Sequence, residues 1–264
     1  MKITVIIATH KEKYKAPQDS CYLPLHVGRA LTEEIEGMQG DDTGDNISEK
    51  NPYYCELTGL YWMWKNIRAD YVGLVHYRRY FSSKSPLKTM LTRNKFSLIA
   101  GQKDYEELLN REDIILPRKR RYYIENLYSH YSHTHYAEHL DAARQVLAEM
   151  HPDYVSSFDI IMKEKSGHMF NMFLMSQEKC DEYCSWLFPI LSVLETRLDF
   201  KEYTDYQARL FGRISELLFN VWLNKKHYPY CEMAIVNTER VHWARKMVSF
   251  LQAKFKNKKY DASF

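Results

Sequence analysis

Short apolar runs bounded by polar turns recur along the chain. Each is long enough for a buried strand and too short for a buried helix. Residues 3–8 (ITVIIA) form the first, with Thr9-His10-Lys11 at its carboxyl end. Residues 23–27 form a second that ends at Gly28, residues 71–75 (YVGLV) a third, and residues 113–117 (DIILP) a fourth. Residues 168–175 (HMFNMFLM) form a fifth, in which His168 and Asn171 are the strong hydrogen-bonding side chains. Between these runs the period changes to that of a helix. Residues 53–66 place Leu57, Leu60, Tyr61 and Trp64 on one face, with Asn51 suited to capping and Pro52 to the first turn. Further helices are predicted over 103–110, 140–150 and 178–195. The last carries the stripe Trp186, Leu187, Leu191 and Leu194 and should kink or split at Pro189. At the end, Trp243, Met247, Phe250, Leu251 and Phe255 recur at helical spacing beside five lysines. That pattern suits an anionic membrane surface as well as ordinary packing. The order β-loop-β-loop-α-β predicts an α/β fold with a mostly parallel central sheet flanked by helices.

Length and composition narrow the class. The 264 residues fit one large domain or two small ones. The division expected is one domain over 1–242 and a basic amphipathic tail over 243–264. The 45% apolar and 27% charged residues are ordinary for a globular chain, whereas 21 tyrosines exceed what a core needs. A net charge of +3 argues against a nucleic-acid partner. Five cysteines show neither a disulfide-framework nor a zinc spacing, and Cys180 and Cys184 share a helix face as buried thiols. The six-residue apolar start is shorter than a signal-peptide core and no run of 18 apolar residues occurs, so a cytoplasmic location is expected.

Candidate chemistry gathers at the ends of the strands. The segment 70–81, DYVGLVHYRRYF, passes from an apolar strand directly into His76, Arg78 and Arg79 interleaved with tyrosines. Guanidiniums are shaped for bidentate phosphate contacts, and open α/β sheets bind ligands beyond the carboxyl ends of their strands. Neither G-x-G-x-x-G nor a P-loop is present. Residues 40–51 form a polar loop with Asp41, Asp42, Asp45 and Asn46, and residues 118–123 (RKRRYY) are the densest basic run. Four histidines follow at 130, 133, 135 and 139. His135 and His139 have a zinc-compatible spacing, but H-E-x-x-H is absent, and a structural or acceptor-facing role is favoured. Residues 203–222 hold Asp205, Gln207, Arg209, Arg213 and Glu216. Arg209 and Arg213 are expected on one helix face with Glu216 on the same side, where pairing and catalysis both stay open.

These residues together resemble a bacterial family, the "domain of unknown function 4422", found in capsular and O-antigen polysaccharide gene clusters. The resemblance rests on Gly44-Asp45-Asn46-Ile47-Ser48, Glu56-Leu57-Thr58 through Tyr61-Trp62 and Lys65-Asn66, and Val72 to Phe81. It continues through His168 with Phe170-Asn171-Met172-Phe173, and Tyr206-Gln207-Ala208-Arg209 to Gly212 and Glu216. It implies a single GT-A-like, Rossmann-type glycosyltransferase domain that moves a hexose, galactofuranose or galactose, from a UDP-sugar to a lipid-linked glycan. It also implies a place at the inner face of the membrane. Most GT-A enzymes hold a divalent metal with Asp-x-Asp, and here Val75-His76-Tyr77-Arg78 stands in that place. Arg78 and Arg79 are therefore expected to neutralise the leaving diphosphate, and a manganese or magnesium ion on His76 is the weaker alternative. Thr9, His10, Asn46, Glu56 and Lys65 are expected on the donor, and His135, His168, Asn171, Gln207 and Arg209 on the sugar or acceptor. Asp205 or Glu216 is the expected base of an inverting reaction. A non-catalytic nucleotide-sugar- or polysaccharide-binding module is the alternative reading.

Overall fold

The structure, a computed structural model, describes residues 1–84 and 91–239. The expected tail over 243–264, its boundary, and the Ser85-Pro86 connection lie outside the described residues. In chain order the strands are β1 (Ile3–Thr9), β2 (Tyr22–His26), β3 (Gln39–Gly40), β4 (Tyr71–His76), β5 (Arg79–Ser82) and β6 (Ile114–Pro117). They continue with β7 (Arg120–Arg121), β8 (Ser166–Gly167), β9 (Phe173–Ser176) and β10 (Cys231–Asn237). The α-helices are α1 (Asn51–Tyr54), α2 (Leu57–Asn66), α3 (Gln102–Leu109), α4 (Leu127–Thr134), α5 (Ala137–Met150), α6 (Val155–Lys163), α7 (Gln177–Arg197) and α8 (Leu210–Lys226). The described chain divides into two compact units. The first comprises residues 1–118, 170–184 and 228–239, the second residues 119–169 and 185–227.

The first unit is built on one sheet in the order β3-β2-β1-β4-β5-β10-β6-β9, in which β9 also pairs with β4. β1 runs parallel to β2 and β4, β2 to β3, and β6 to β10. The remaining pairings are antiparallel. The sheet is thus mixed and partly closed on itself, not mostly parallel as the sequence suggested. The cause is local: only Tyr77 and Arg78 separate β4 from β5, and so short a connection permits only an antiparallel return. The core gathers Val5, Ile7, Val75, Tyr80, Phe81, Tyr105, Ile115 and Leu174. Buried phenols within it are paired, Tyr22 donating to the Ala100 carbonyl at 2.7 Å and meeting the Tyr105 hydroxyl at 2.7 Å. α2 lies close over β1 and β2 at Gly59, where a Cβ would come within 2.8 Å of the Val27 side chain.

Three expectations about elements change. The helix expected over 53–66 is broken at Cys55, whose φ is +53°. Asn51 is not its cap but the first residue of α1, and its amide donates to the Cys55 carbonyl at 2.8 Å and the Thr58 hydroxyl at 3.1 Å, bracing the break. The strand expected over 168–175 begins only at Phe173, because Phe170 and Asn171 have φ of +77° and +50° and turn the chain first. Pro189 does not split α7, which runs 21 residues through it.

The second unit is mainly helical, with α4, α5, α6, α8 and the later part of α7, plus the antiparallel pair β7–β8. α8 is buried over most of its surface, including Leu210, Phe211, Ile214, Leu217, Leu218, Val221 and Trp222. A helix apolar nearly all round belongs inside a unit rather than on its face.

Candidate functional site

The first unit carries its chemistry where the parallel strands end. Thr9 lies beside His26 across the β1–β2 pairing, and Ala8 lies beside His76 across β1–β4. β2 and β3 extend the sheet on one side of β1 and β4 on the other, so the carboxyl ends of β1 and β4 flank a topological switch point. Thr9 is buried and its hydroxyl accepts from the Lys11 amide at 3.1 Å. His10 is exposed and meets the Tyr77 ring edge-on at 5.4 Å. The Lys11 ammonium sits 4.6 Å over the same ring and 2.6 Å from Glu239, whose hydrogen bond raises the lysine's pKa. Arg78 lies 5.8 Å from the Tyr77 centroid, and its carbonyl accepts from Thr238 at 3.0 Å.

A left-handed turn at Phe170-Asn171 ties four of the expected residues into one patch. His76 Nε2 is 2.5 Å from the Phe170 carbonyl, which can only accept, so this nitrogen carries the proton. Burial lowers the His76 pKa, Glu56 opposes that shift, and Arg79 and Arg78 reinforce it. The ring is a neutral donor near neutral pH. The Arg79 guanidinium stands 4.6 Å over the Phe170 ring, and the Asn171 amide donates to Glu56 Oε1 at 2.7 Å. Glu56, His76, Arg79 and Asn171 therefore surround one turn, an association that no spacing in the sequence reveals.

Two other expected donor residues have local duties. Asn46 braces its own loop, donating to the Gly44 carbonyl at 3.0 Å and accepting from the Ser48 amide at 3.2 Å. Lys65 lies 3.9 Å from the Asp45 carboxylate and 3.7 Å over the Trp64 ring. Asp41 is fully buried and accepts from the Gly28 and Arg29 amides at 3.0 and 3.1 Å and from the Ser48 hydroxyl at 2.5 Å, a structural staple. Sequence reasoning passed over His26, which ends β2 inside an apolar run. It is 2% exposed, its Nε2 meets the Thr32 hydroxyl at 3.1 Å, and its Nδ1 has no hydrogen-bond partner among the described residues.

The second unit holds a separate cluster. His135 is buried with Nδ1 2.8 Å from Gln207 Oε1 and 3.3 Å from the Arg213 guanidinium. Burial first, and then Arg213, push its pKa well down. Gln207 donates onward to the Thr134 carbonyl at 3.2 Å. Arg213 stacks 4.1 Å over the Tyr206 ring and donates to the Tyr206 carbonyl at 2.6 Å. Burial raises the pKa of Tyr122, to about 12, and of Tyr206, and the charge of Glu216 adds to both shifts, so Glu216 lies within electrostatic reach of these phenols. His139 directs Nδ1 to the Tyr131 hydroxyl at 3.0 Å and Nε2 to the Tyr203 hydroxyl at 3.3 Å, so both ring nitrogens are engaged.

The other expected residues of this unit stand apart. Arg209 is exposed and precedes α8 as its cap, so it does not share a helical face with Arg213. Asp205 is exposed on the preceding turn. His168 is buried and its backbone pairs both ways with the Asn220 side chain, at 2.8 and 2.7 Å. Among the described residues no group of three or more His, Cys, Asp or Glu side chains is placed to hold a metal ion. No described helix is long and apolar enough to cross a membrane.

No curated protein matches the chain. A solved structure described as "WbbM bifunctional glycosytransferase apo structure" is similar over 91% of this chain, with a TM-score of 0.81 and 31% sequence identity. The match takes in 46% of that protein, so this chain spans about half its length. The family model described as "Domain of unknown function (DUF4422)" matches residues 4–227, and the chain belongs to that family.

Proposed function

We propose that the chain is a glycosyltransferase that passes a single sugar from a nucleotide-diphosphate donor to a lipid-linked glycan in the synthesis of a surface polysaccharide. The observation that carries this reading is the switch point in the first unit, where Thr9 ends β1 with His10 next after it, and His76 ends β4 with Arg78 and Arg79 just beyond. The similarity to a protein described as a bifunctional glycosyltransferase supports it. A GT-A-like site with UDP as the nucleotide, and galactofuranose or galactose as the sugar, is the version the family resemblance favours.

In this reading Thr9 and His10 hold the nucleoside half of the donor. Arg78 and Arg79 take the diphosphate, and neutral His76, which gives its one ring proton to the Phe170 carbonyl, keeps Arg79 in place through the Phe170 turn. Cationic side chains that neutralise the leaving diphosphate supply the electrostatic help a metal gives in other transferases. In the second unit His135, Gln207 and Arg213 present donors and acceptors suited to sugar hydroxyls. Glu216, among the phenols of Tyr122 and Tyr206, is preferred to exposed Asp205 as the base of an inverting reaction. The enzyme works at the cytoplasmic face of the membrane, where its lipid-linked acceptor lies.

Transfer from UDP-galactofuranose and UDP-galactose to a lipid-linked acceptor tests this directly. Activity is expected to survive a strong chelator, to fall about 100-fold or more in Glu216→Gln, and to persist in Asp205→Asn. Restoration of a chelated enzyme by manganese would return the metal to the site. UDP-sugar binding with no transfer to any acceptor would make the chain a nucleotide-sugar-binding module.

A further inference from the structure

The basic run after β6 ends in a feature that the transferase reading does not use. Tyr122 to Glu125 form a turn, closed by the Glu125 amide on the Tyr122 carbonyl at 3.4 Å, with Tyr123 and Ile124 at its tip. These two side chains are 81% and 61% exposed, the largest exposures among the described big hydrophobic residues of this unit. Turn tips favour Gly, Asn, Asp, Pro and Ser for identifiable backbone reasons, and Tyr-Ile serves none of them.

The turn is held firmly at its base. The Tyr122 amide donates to the Lys165 carbonyl at 2.7 Å and the Leu127 amide to the Glu164 carbonyl at 2.8 Å. The buried Glu125 carboxylate accepts from His130 at 3.0 Å and His133 at 2.7 Å, and Tyr122 is buried against the His130 ring at 4.2 Å. A mobile loop would let Tyr123 and Ile124 fold back onto the unit, whereas an anchored one keeps them out.

Cationic side chains flank the tip on both strands. Lys119 and Arg121 are exposed on the incoming strand, while Arg120 turns inward with its guanidinium 4.8 Å over the Tyr122 ring. On the returning side, Arg121 pairs with Ser166, and Lys163 and Lys165 are exposed just before it, with Glu164 as the intervening carboxylate. One turn earlier on the same side of α6 as Lys163, Ile160 is 49% exposed. An aromatic and an aliphatic tip ringed by Lys and Arg is the chemistry of interfacial insertion: the apolar residues enter the headgroup–acyl boundary while the cations meet lipid phosphates. A polynucleotide would be met by the cations but gives an exposed isoleucine nothing to bury against.

We infer that this turn is an interfacial anchor for an anionic lipid bilayer, with Tyr123 and Ile124 inserting and Lys119, Arg121, Lys163 and Lys165 on the phosphates. The inference stands apart from the transfer reaction, because vesicle binding is read without donor or acceptor.

The test is cosedimentation of the full chain with vesicles of phosphatidylcholine alone and of phosphatidylcholine with roughly a third of the anionic lipid phosphatidylglycerol. The expected result is binding to the anionic vesicles that weakens with salt. In Tyr123→Ser/Ile124→Ser the affinity should fall about tenfold while thermal unfolding stays unchanged, since both side chains are exposed. In Lys119→Gln/Arg121→Gln the preference for anionic vesicles should shrink. Undiminished binding by the Tyr123→Ser/Ile124→Ser variant overturns the inference and moves the anchor to another segment. Binding to a single-stranded RNA probe that both variants lose equally, with none to vesicles, reassigns the run to nucleic acid.

Discussion

At the residue scale, histidines do two different jobs in this chain. His76 is a neutral donor beside two arginines, and His130 is a neutral donor to a buried carboxylate. Burial is the largest cause of the lowered pKa in each, and for His130 it reaches about 4 although Glu125 pulls the other way. The unfolded chain takes up this proton near the ordinary histidine value, so its contribution to stability is complete above about pH 6.5 and is lost as pH falls towards 4. The shift corresponds to roughly 3 kcal/mol. His26, His76 and His135 are lowered too and share the trend, so the comparison must be with a variant. His130→Gln keeps a donor for Glu125 and cannot titrate; urea unfolding between pH 7 and 4 should show a shallower loss than in the parent protein. An equal slope would mean that His130 charges freely in the folded protein. Such pairings were invisible in the sequence: four histidines at 130, 133, 135 and 139 read as one group, yet they divide between Glu125, Gln207 and two phenols.

At the scale of elements, the close pairing of β4 with β9 fixes where His76 is delivered. Gly73 faces the Phe173 carbonyl across that pairing, and a Cβ there would lie 2.7 Å from the oxygen. The nearest atom is backbone held in the β4–β9 pairing, which cannot swing aside as a side chain can. Gly73→Ala should therefore cost about 2–3 kcal/mol, read as a lower urea midpoint with an unchanged slope. A loss under about 0.5 kcal/mol would mean that the two strands separate easily. Apolar runs located β1, β2, β4 and β6 within a residue or two, because burial on both faces leaves a strong signal in composition. What was lost lay where the backbone turns without a glycine. Cys55 breaks a helix at positive φ, and Phe170-Asn171 turns the chain within an apolar run. Residue type gave no warning at Cys55 or Phe170, since left-handed backbone there is set by tertiary contacts.

At the scale of the whole molecule, the segment 70–81 is what the rest of the first unit is arranged to present. The sequence could show that a strand ends in His76, Arg78 and Arg79, but not that β1 lies beside it in parallel, nor that Glu56 and Asn171 arrive from distant segments. The mixed sheet was illegible for the same reason: strand direction follows from how β5, β9 and β10 return, and those returns are set by pairing rather than composition. The candidate residues, scattered over many segments in the linear order, fall into two units that each hold a polar cluster. The central claim is that Arg78 and Arg79 take the place of a metal on the donor's diphosphate. Calorimetric titration of UDP and of uridine into the parent chain and into Arg78→Ala tests it most directly. The account predicts that UDP affinity falls about tenfold to a hundredfold, the worth of a charge-assisted phosphate contact, while any uridine affinity is unchanged. Equal UDP affinity in the two proteins would contradict it.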